Sequence, residues 1–117
     1  MELPRQAALM RIYTDEAARA GHKSLFEAIV AKARDEGLAG ATVLRGPMGF
    51  GQGAVIHNAS ILNLSANLPL VVEIVDTEEK LRGFLHSLEE LTDDVGLVTI
   101  EKVEVLHHSN GAAGRGS

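Results

Sequence analysis

The sequence predicts an α+β fold in which four strands and two helices follow one another in the order βαββαβ. Residues Ala7–Tyr13 alternate between two faces, and Ala8, Met10 and Ile12 share one of them, which is the pattern of a strand. Two later segments carry apolar residues at helical spacing, and each lies between strand-like runs. This order is typical of a ferredoxin-like sandwich, in which two helices cover one face of a four-stranded antiparallel sheet. The expected spatial order of the strands is 4-1-3-2.

The first helix is marked by suitable residues at both ends. After the first strand, Thr14–Gly21 is polar and is predicted to be a loop. Ser24 with Glu27 three residues later has the spacing of a capping box, and Gly37 is typical of the position just after a helix. The apolar stripe between them consists of Leu25, Phe26, Ile29, Val30 and Ala33. A short turn then leads into a second strand, Ala41–Arg45.

The second half of the chain repeats this arrangement. Leu70–Val75 is predicted to be the third strand, with Glu73 as its one polar residue. Asp76 is predicted to cap the second helix, with Glu79 at the reciprocal position of a capping box. The helical stripe that follows consists of Leu81, Phe84, Leu85, Leu88 and Leu91.

The fourth strand is predicted to run from Leu97 to Leu106. The apolar phase changes between Val98 and Ile100, which have even numbers, and Val103 and Val105, which have odd numbers, so we expect a bulge or bend near Glu101 and Lys102. Residues 54–67 show no clear period. The folded domain is therefore placed at residues 1–106, and residues 107–117 are predicted to form a disordered tail because they are rich in Gly, Ala and Ser.

One face of the predicted sheet carries apolar residues that the helices do not cover. If Leu70, Val72 and Ile74 face the helices, then Val71, Glu73 and Val75 face away, beside Leu9 and Tyr13 of the first strand. An apolar patch of this kind favours oligomerisation through the open face. Arg11 and Glu73 are predicted to pair within that assembly, because either charge buried alone would cost several kcal/mol.

A glycine-rich segment at the end of the second strand is the candidate ligand site. Residues 45–53 read RGPMGFGQG, and four glycines so close together allow positive φ and a close approach to a ligand or a neighbouring subunit. Backbone amides in such a loop can hold an anion, and an arginine at its start suits phosphate or carboxylate. A tight contact between subunits would require the same glycines. The predicted ligand-binding residues are Arg45, Gly46, Gly49, Phe50, Gly51, Gly53, His57 and Lys102.

Composition excludes several classes of function. The net charge of −5 and the aromatic content of 3% argue against a nucleic-acid-binding protein. The chain has no Cys, which excludes disulfides and Cys-based metal centres. Without an apolar run of the length that spans a bilayer or a signal-peptide pattern, we expect a cytoplasmic protein.

The residues resemble the domain of unknown function 190 family over most of Ala7–Leu106. The resemblance is carried by GATVLRGPMGFG at residues 40–51, IH at 56–57, LPLVVEIVD at 68–76 and VTIEKVEV at 98–105. That family is similar to the PII (GlnB-like) signalling superfamily. The resemblance implies a homotrimer of ferredoxin-like subunits with ligand clefts between neighbours. It also implies that Gly46, Gly49, Gly51 and Gly53 form the base of a long loop that contributes to an adenine-nucleotide site, with Arg45 beside it.

The sequence departs from the PII pattern before the fourth strand. PII proteins carry a basic, glycine-rich loop there, whereas residues 92–97 read TDDVGL, with two acids and no base. A triphosphate would be repelled at this place, so we expect AMP or ADP rather than ATP as a regulatory nucleotide, and no other cofactor. The loop after Gly53 also lacks the tyrosine that PII proteins modify. Genes of this family are associated with small fluoride channels, which suggests a membrane transporter or channel as partner.

The function expected from these features is regulatory and not enzymatic. Amides of Gly49 and Gly51 with Arg45 would hold an anion, and residues 52–67 would form the signalling loop. Lys102 would supply a second charge from the same or an adjacent subunit. Two alternatives stay open: a trimer of the CutA kind that binds divalent metal, and a small cofactor-free enzyme with His57 and Glu101 as candidate groups. The histidines lack a metal-ligand spacing, which favours ordinary surface roles for them.

Overall fold

The computed structural model describes residues 2–50, 56–58 and 67–109. Its elements are, in chain order, β1 Gln6–Asp15, β2 Arg19–Ala20, β3 Lys23–Ser24, α1 Leu25–Asp35, β4 Thr42–Arg45, β5 Met48–Gly49, β6 His57–Asn58, β7 Pro69–Asp76, α2 Glu78–Leu91 and β8 Leu97–Glu104. The strands β4, β7, β1 and β8 form one antiparallel sheet in that spatial order. The predicted ferredoxin-like fold and its strand order are therefore confirmed.

The core lies between one face of this sheet and both helices. The even-numbered residues of β7 are buried, as are Ala8, Met10 and Ile12 in the middle of β1, which is the alternation expected for strands with one covered face. They pack against buried residues of α1 and α2, and Phe84 is the largest side chain in the cluster. The apolar members of the core cluster are Ala8, Met10, Ile12, Leu25, Ile29, Ala33, Val72, Ile74, Leu81, Phe84, Leu88 and Val95.

Helix α1 begins and ends where the sequence predicts. Ser24 is its N-cap residue, but its hydroxyl bonds to the Glu27 carboxylate and makes no cap bond to the backbone, so the predicted capping box is not formed. At the other end, Gly37 N–H donates to Arg34 O and the next amide donates to Ala33 O, which is a Schellman motif. The φ of +76° at Gly37 explains the glycine there.

The predicted cap of α2 is wrong by one residue. Thr77 is the N-cap, and its side chain accepts the amide of Lys80. Asp76 instead ends β7 on the helix-facing side and is buried, where its carboxylate accepts the amides of Ala39 and Thr77 at 3.0 and 2.7 Å. Both Asp and Thr cap helices well, so local sequence preference did not separate them.

Two further expectations about the strands are corrected. Residues Gln6–Asp15 form one strand, and part of the predicted polar loop forms the short β2–β3 ladder. Strand β8 pairs with β1 residue for residue from Leu97↔Tyr13 to Glu104↔Gln6, so the bulge predicted within this strand is absent. The change of apolar phase is accommodated because β8 is an edge strand, where Lys102 can extend its ammonium group to solvent.

The packed chain continues past residue 106. His108 Nδ1 accepts a hydrogen bond from Leu3 N at 3.0 Å, so this residue contacts the segment before β1. Of the predicted tail, residues 110–117 lie outside the described residues. Within the described part of the chain, neither helix is long and apolar enough to cross a membrane.

Candidate functional site

The glycine segment begins beside the first residue of β7. Gly46 N–H donates to Pro69 O at 2.8 Å. A Cβ added to Gly46 would lie 3.1 Å from Pro69 Cγ, and one added to Gly49 would lie 3.2 Å from the same atom. Neither is among the described glycines with positive φ, which are Gly21, Gly37 and Gly96. The two glycines therefore allow the backbone to approach Pro69 closely, and positive φ is not their reason.

A short ladder follows at the base of the segment. Met48 pairs with Asn58 and Gly49 with His57, so β5 and β6 run antiparallel. The side chains of Met48, Phe50 and Ile56 are exposed by 61%, 70% and 59%, which leaves apolar surface beside the ladder. The backbone of His57 is thus adjacent to that of Gly49. Gly51, Gly53 and most of the predicted signalling loop 52–67 lie outside the described residues.

Arg45 stands at the start of this segment and is paired with a residue that sequence reasoning missed. Its Nη2 lies 2.7 Å from Oε2 of Glu16, while 61% of the arginine side chain stays exposed. Glu16 also accepts the amide of Leu68 through Oε1 at 3.0 Å. The sequence carries no local signal for this contact, because it depends on the antiparallel pairing Asp15↔Pro69, which places the residue after β1 opposite the residue before β7.

Lys102 lies far from Arg45 within one chain. Arg45 pairs with Leu70, which pairs with Thr14 at one end of β1, whereas Lys102 pairs with Ala8 near the other end. Three strand spacings and six residues separate the two positions, which amounts to about 14 Å across the sheet and about 20 Å along it. Lys102 therefore joins the Arg45 site only if a neighbouring subunit supplies it.

The open face of the sheet carries the predicted ion pair. Arg11 Nε donates to Glu73 Oε2 at 3.0 Å, which confirms the pairing of these two residues. Arg11 Nη1 also bonds to Glu101, a partner not predicted from the sequence. The hydrogen bonds that Arg11 donates to Glu73 and to Glu101, in that order of importance, raise the pKa of Arg11, so its guanidinium stays charged at every ordinary pH.

Apolar side chains surround that charged cluster. Leu9 pairs with Val75 and Tyr13 with Val71, and all of them point away from the helices, as expected. Three of them are half-buried in the single chain, and Tyr13 is exposed by 39%. Farther out, Leu44 and Leu97 on the two edge strands are exposed by 48% and 62%.

The acidic segment before β8 is held by a hydrogen bond to the Thr92 side chain and by the burial of Val95. Asp94 N–H donates to Thr92 Oγ1 at 3.1 Å, and Val95 is buried against the core. Gly96 has φ +82°, and a Cβ there would lie 2.9 Å from Tyr13 O. Glycine at this position therefore allows the backbone of residue 96 to lie close to that of β1. No group of three His, Asp or Glu residues that could hold a metal occurs among the described residues.

Comparison with known protein families gives one match over most of the chain. The DUF190 family, described as "Uncharacterized ACR, COG1993", matches residues 7–105. A relative in Aquifex aeolicus (strain VF5), named only as a UPF0166 protein, is 37% identical over 99 residues, which cover 85% of this chain and 92% of that protein.

Solved structures with low sequence identity share the fold. A Thermus thermophilus protein described as a PII-like signaling protein has a TM-score of 0.59 and 19% identity, covering 86% of this chain and 89% of that one. The Bacillus subtilis GlnK–ATP complex has a TM-score of 0.53 and 14% identity, covering 86% of this chain and 84% of that one. The divalent ion tolerance protein CutA1 of Ehrlichia chaffeensis has a TM-score of 0.54 and 10% identity, covering 95% of this chain and 89% of that one. At these identities the similarity shows the fold alone.

Proposed function

Since the chain belongs to the DUF190 family, as the resemblance in its sequence predicted, we propose that it is a PII-like regulatory protein that binds a small anionic ligand beside Arg45. The ligand class we propose is an adenine nucleotide with one or two phosphates. The proposal assigns no catalysis to the chain. Occupancy of the site would favour one conformation of the protein and so report the ligand to a partner, for which we propose a membrane transporter or channel.

The placement of Arg45 is the observation that carries this proposal. The guanidinium stands at the end of β4, directly before the glycine that bonds to Pro69, and more than half of its side chain is accessible. A chain with a net charge of −5 attracts few anions in general, so an anion needs a local cation of this kind. Arginine offers several N–H donors in a planar fork that matches phosphate oxygens.

A homotrimer would complete the site. The apolar residues of the open sheet face give a surface that a second copy could cover, and Arg11 already holds the two acids at its centre. Lys102 lies too far from Arg45 in one chain, so in this proposal its charge reaches the ligand from a neighbour. The acids at Asp93 and Asp94 oppose a third phosphate, which is why the proposal favours AMP or ADP over ATP.

A thermal-shift series with AMP, ADP, ATP and divalent metals tests the proposal. A ligand that binds only the folded protein stabilises it by about 2.7 kcal/mol at a hundredfold excess over its dissociation constant. We expect AMP or ADP to raise the melting temperature of the wild-type protein and Arg45→Ala to abolish that rise. Sedimentation should show the same assembly for both proteins.

Arg82→Ala is the matched control for that experiment. Arg82 lies on α2, pairs with Glu78 at 2.8 Å and is 64% exposed. Its replacement therefore removes one positive charge and one exposed ion pair, as Arg45→Ala does. This control should keep the nucleotide response. A response that survives Arg45→Ala, or an Arg45→Ala protein that dissociates, would reject the assigned role of Arg45. A shift with metals alone would favour a metal-binding protein.

A further inference from the structure

Glu16 connects three groups at the end of the sheet where Arg45 lies. Its amide donates to Leu68 O at 3.1 Å, and its Oε1 accepts Leu68 N at 3.0 Å. Its second carboxylate oxygen, Oε2, lies 2.7 Å from Arg45 Nη2. The side chain of Glu16 is 26% exposed, against 61% for Arg45, so the carboxylate is the more buried member of the pair.

We propose that Glu16 is the specificity-determining residue of the Arg45 site. In the free protein its carboxylate pairs with the Arg45 guanidinium, and this pairing makes the site bind phosphate groups in preference to simple carboxylates. The inference rests on the proposed function, because it concerns the same anion site.

The Glu16 carboxylate is positioned before any ligand arrives. Both backbone groups of Leu68 bond to Glu16, so the side chain is already oriented toward Arg45 without a further loss of entropy. A group held in this way acts at an effective concentration on the order of millimolar or above. An external anion must therefore replace an internal competitor that is always present.

The charge of the external anion decides whether it can do so. A monocarboxylate brings Arg45 the same single charge as Glu16, and it must also give up its freedom of translation. A phosphate monoester near neutral pH carries between one and two charges and three acceptor oxygens. It can therefore bind the exposed N–H groups of Arg45 and also displace the carboxylate.

Glu16→Gln isolates the competing charge. The glutamine carbonyl oxygen can still accept Leu68 N–H, but the amide group no longer competes for the guanidinium as an anion. Glu104→Gln is the matched control, since Glu104 pairs with Arg5 at 2.6 Å near the opposite end of the sheet and its replacement makes the same change in net charge.

The measurement is an NMR titration of the Arg45 side-chain Nε–H resonance with inorganic phosphate and, separately, with acetate. An exposed ion pair of this kind alters affinity by about two- to fivefold, so Glu16→Gln should bind phosphate tighter by that factor. Acetate should perturb Arg45 in Glu16→Gln at concentrations that leave the wild type unchanged. Glu104→Gln should behave as the wild type in both titrations.

Two results would overturn the inference: equal phosphate and acetate midpoints in the wild type and Glu16→Gln, or no response of Arg45 to phosphate in either protein. If Glu16→Gln does not fold, a phosphate titration of the wild type tests the inference by itself. The ¹³C resonance of the Glu16 carboxylate should then shift with the same phosphate midpoint as the Arg45 resonance. An unmoved Glu16 resonance would also reject the inference. Nucleotides that fail to shift the melting temperature while phosphate displaces Glu16 would reject the proposed nucleotide function and leave this inference standing.

Discussion

Replacement of Gly96 by alanine should destabilise the protein through two separable effects. The first is the backbone conformation, because φ is +82° and an L-residue pays roughly 1–2 kcal/mol in the left-handed region. The second is a steric overlap, because the new Cβ would lie 2.9 Å from Tyr13 O, well inside the 3.4 Å at which ordinary contact begins. Tyr13 pairs with both Val71 and Leu97, so its carbonyl is fixed between two strands and cannot easily move.

Gly37 provides the reference that separates these effects. Its φ of +76° is almost the same, but an added Cβ would meet nothing within 4 Å. Both alanine variants gain about 0.4–1 kcal/mol from the reduced entropy of the unfolded chain, so this term cancels between them. Overlap with a rigid backbone typically costs about 1–3 kcal/mol, and we expect Gly96→Ala to be less stable than Gly37→Ala by this amount.

Urea denaturation of the two variants and the wild type measures the difference. All three should be compared at one protomer concentration, because association would contribute to the apparent stability. The midpoints should fall in the order wild type, Gly37→Ala, Gly96→Ala, with similar slopes. Equal free energies of unfolding for the two variants would refute the steric part of the reasoning and with it the close approach of residue 96 to β1.

Two further replacements test the open sheet face and the buried carboxylate. Val71→Asp should dissociate the proposed assembly in a sedimentation experiment, because it places an unpaired charge in the covered face. The control Val71→Thr adds no charge and should leave the assembly intact. A Val71→Asp protein that still sediments as a trimer would show that this face is not the interface. Asp76→Ala should lower the free energy of unfolding by about 1–3 kcal/mol, because the buried carboxylate no longer accepts the amides of Ala39 and Thr77. The exposed Asp35→Ala should change it by less than about 0.5 kcal/mol in the same melt, and equal effects of the two would contradict the assignment.

The core-facing pattern of the strands could be predicted because it follows from local periodicity. The alternation in β7 placed Leu70, Val72 and Ile74 toward the helices, and all three are buried. The pair of Arg11 with Glu73 followed once two strands were assigned to the same sheet face, because the register then places them opposite each other. These inferences need only the period of two residues and the order of the strands.

The errors arose where two local preferences were equally satisfied or where an edge strand relaxed the pattern. Asp76 and Thr77 are both good N-cap residues, and burial of Asp76 at the end of β7 decided between them. The apolar phase of β8 suggested a bulge, but an edge strand tolerates Lys102 on the helix-facing side because solvent is close.

The sequence by itself determined the order of the elements, the faces of the central strands and the candidate segment that starts at Arg45. Only the tertiary structure decided what those residues contact. Glu16 and Leu68 are 52 positions apart, and their bond depends on the register between β1 and β7. The same packing places Gly46 and Gly49 against Pro69. Contacts of this kind join segments distant in the chain, and no local period of the sequence encodes them.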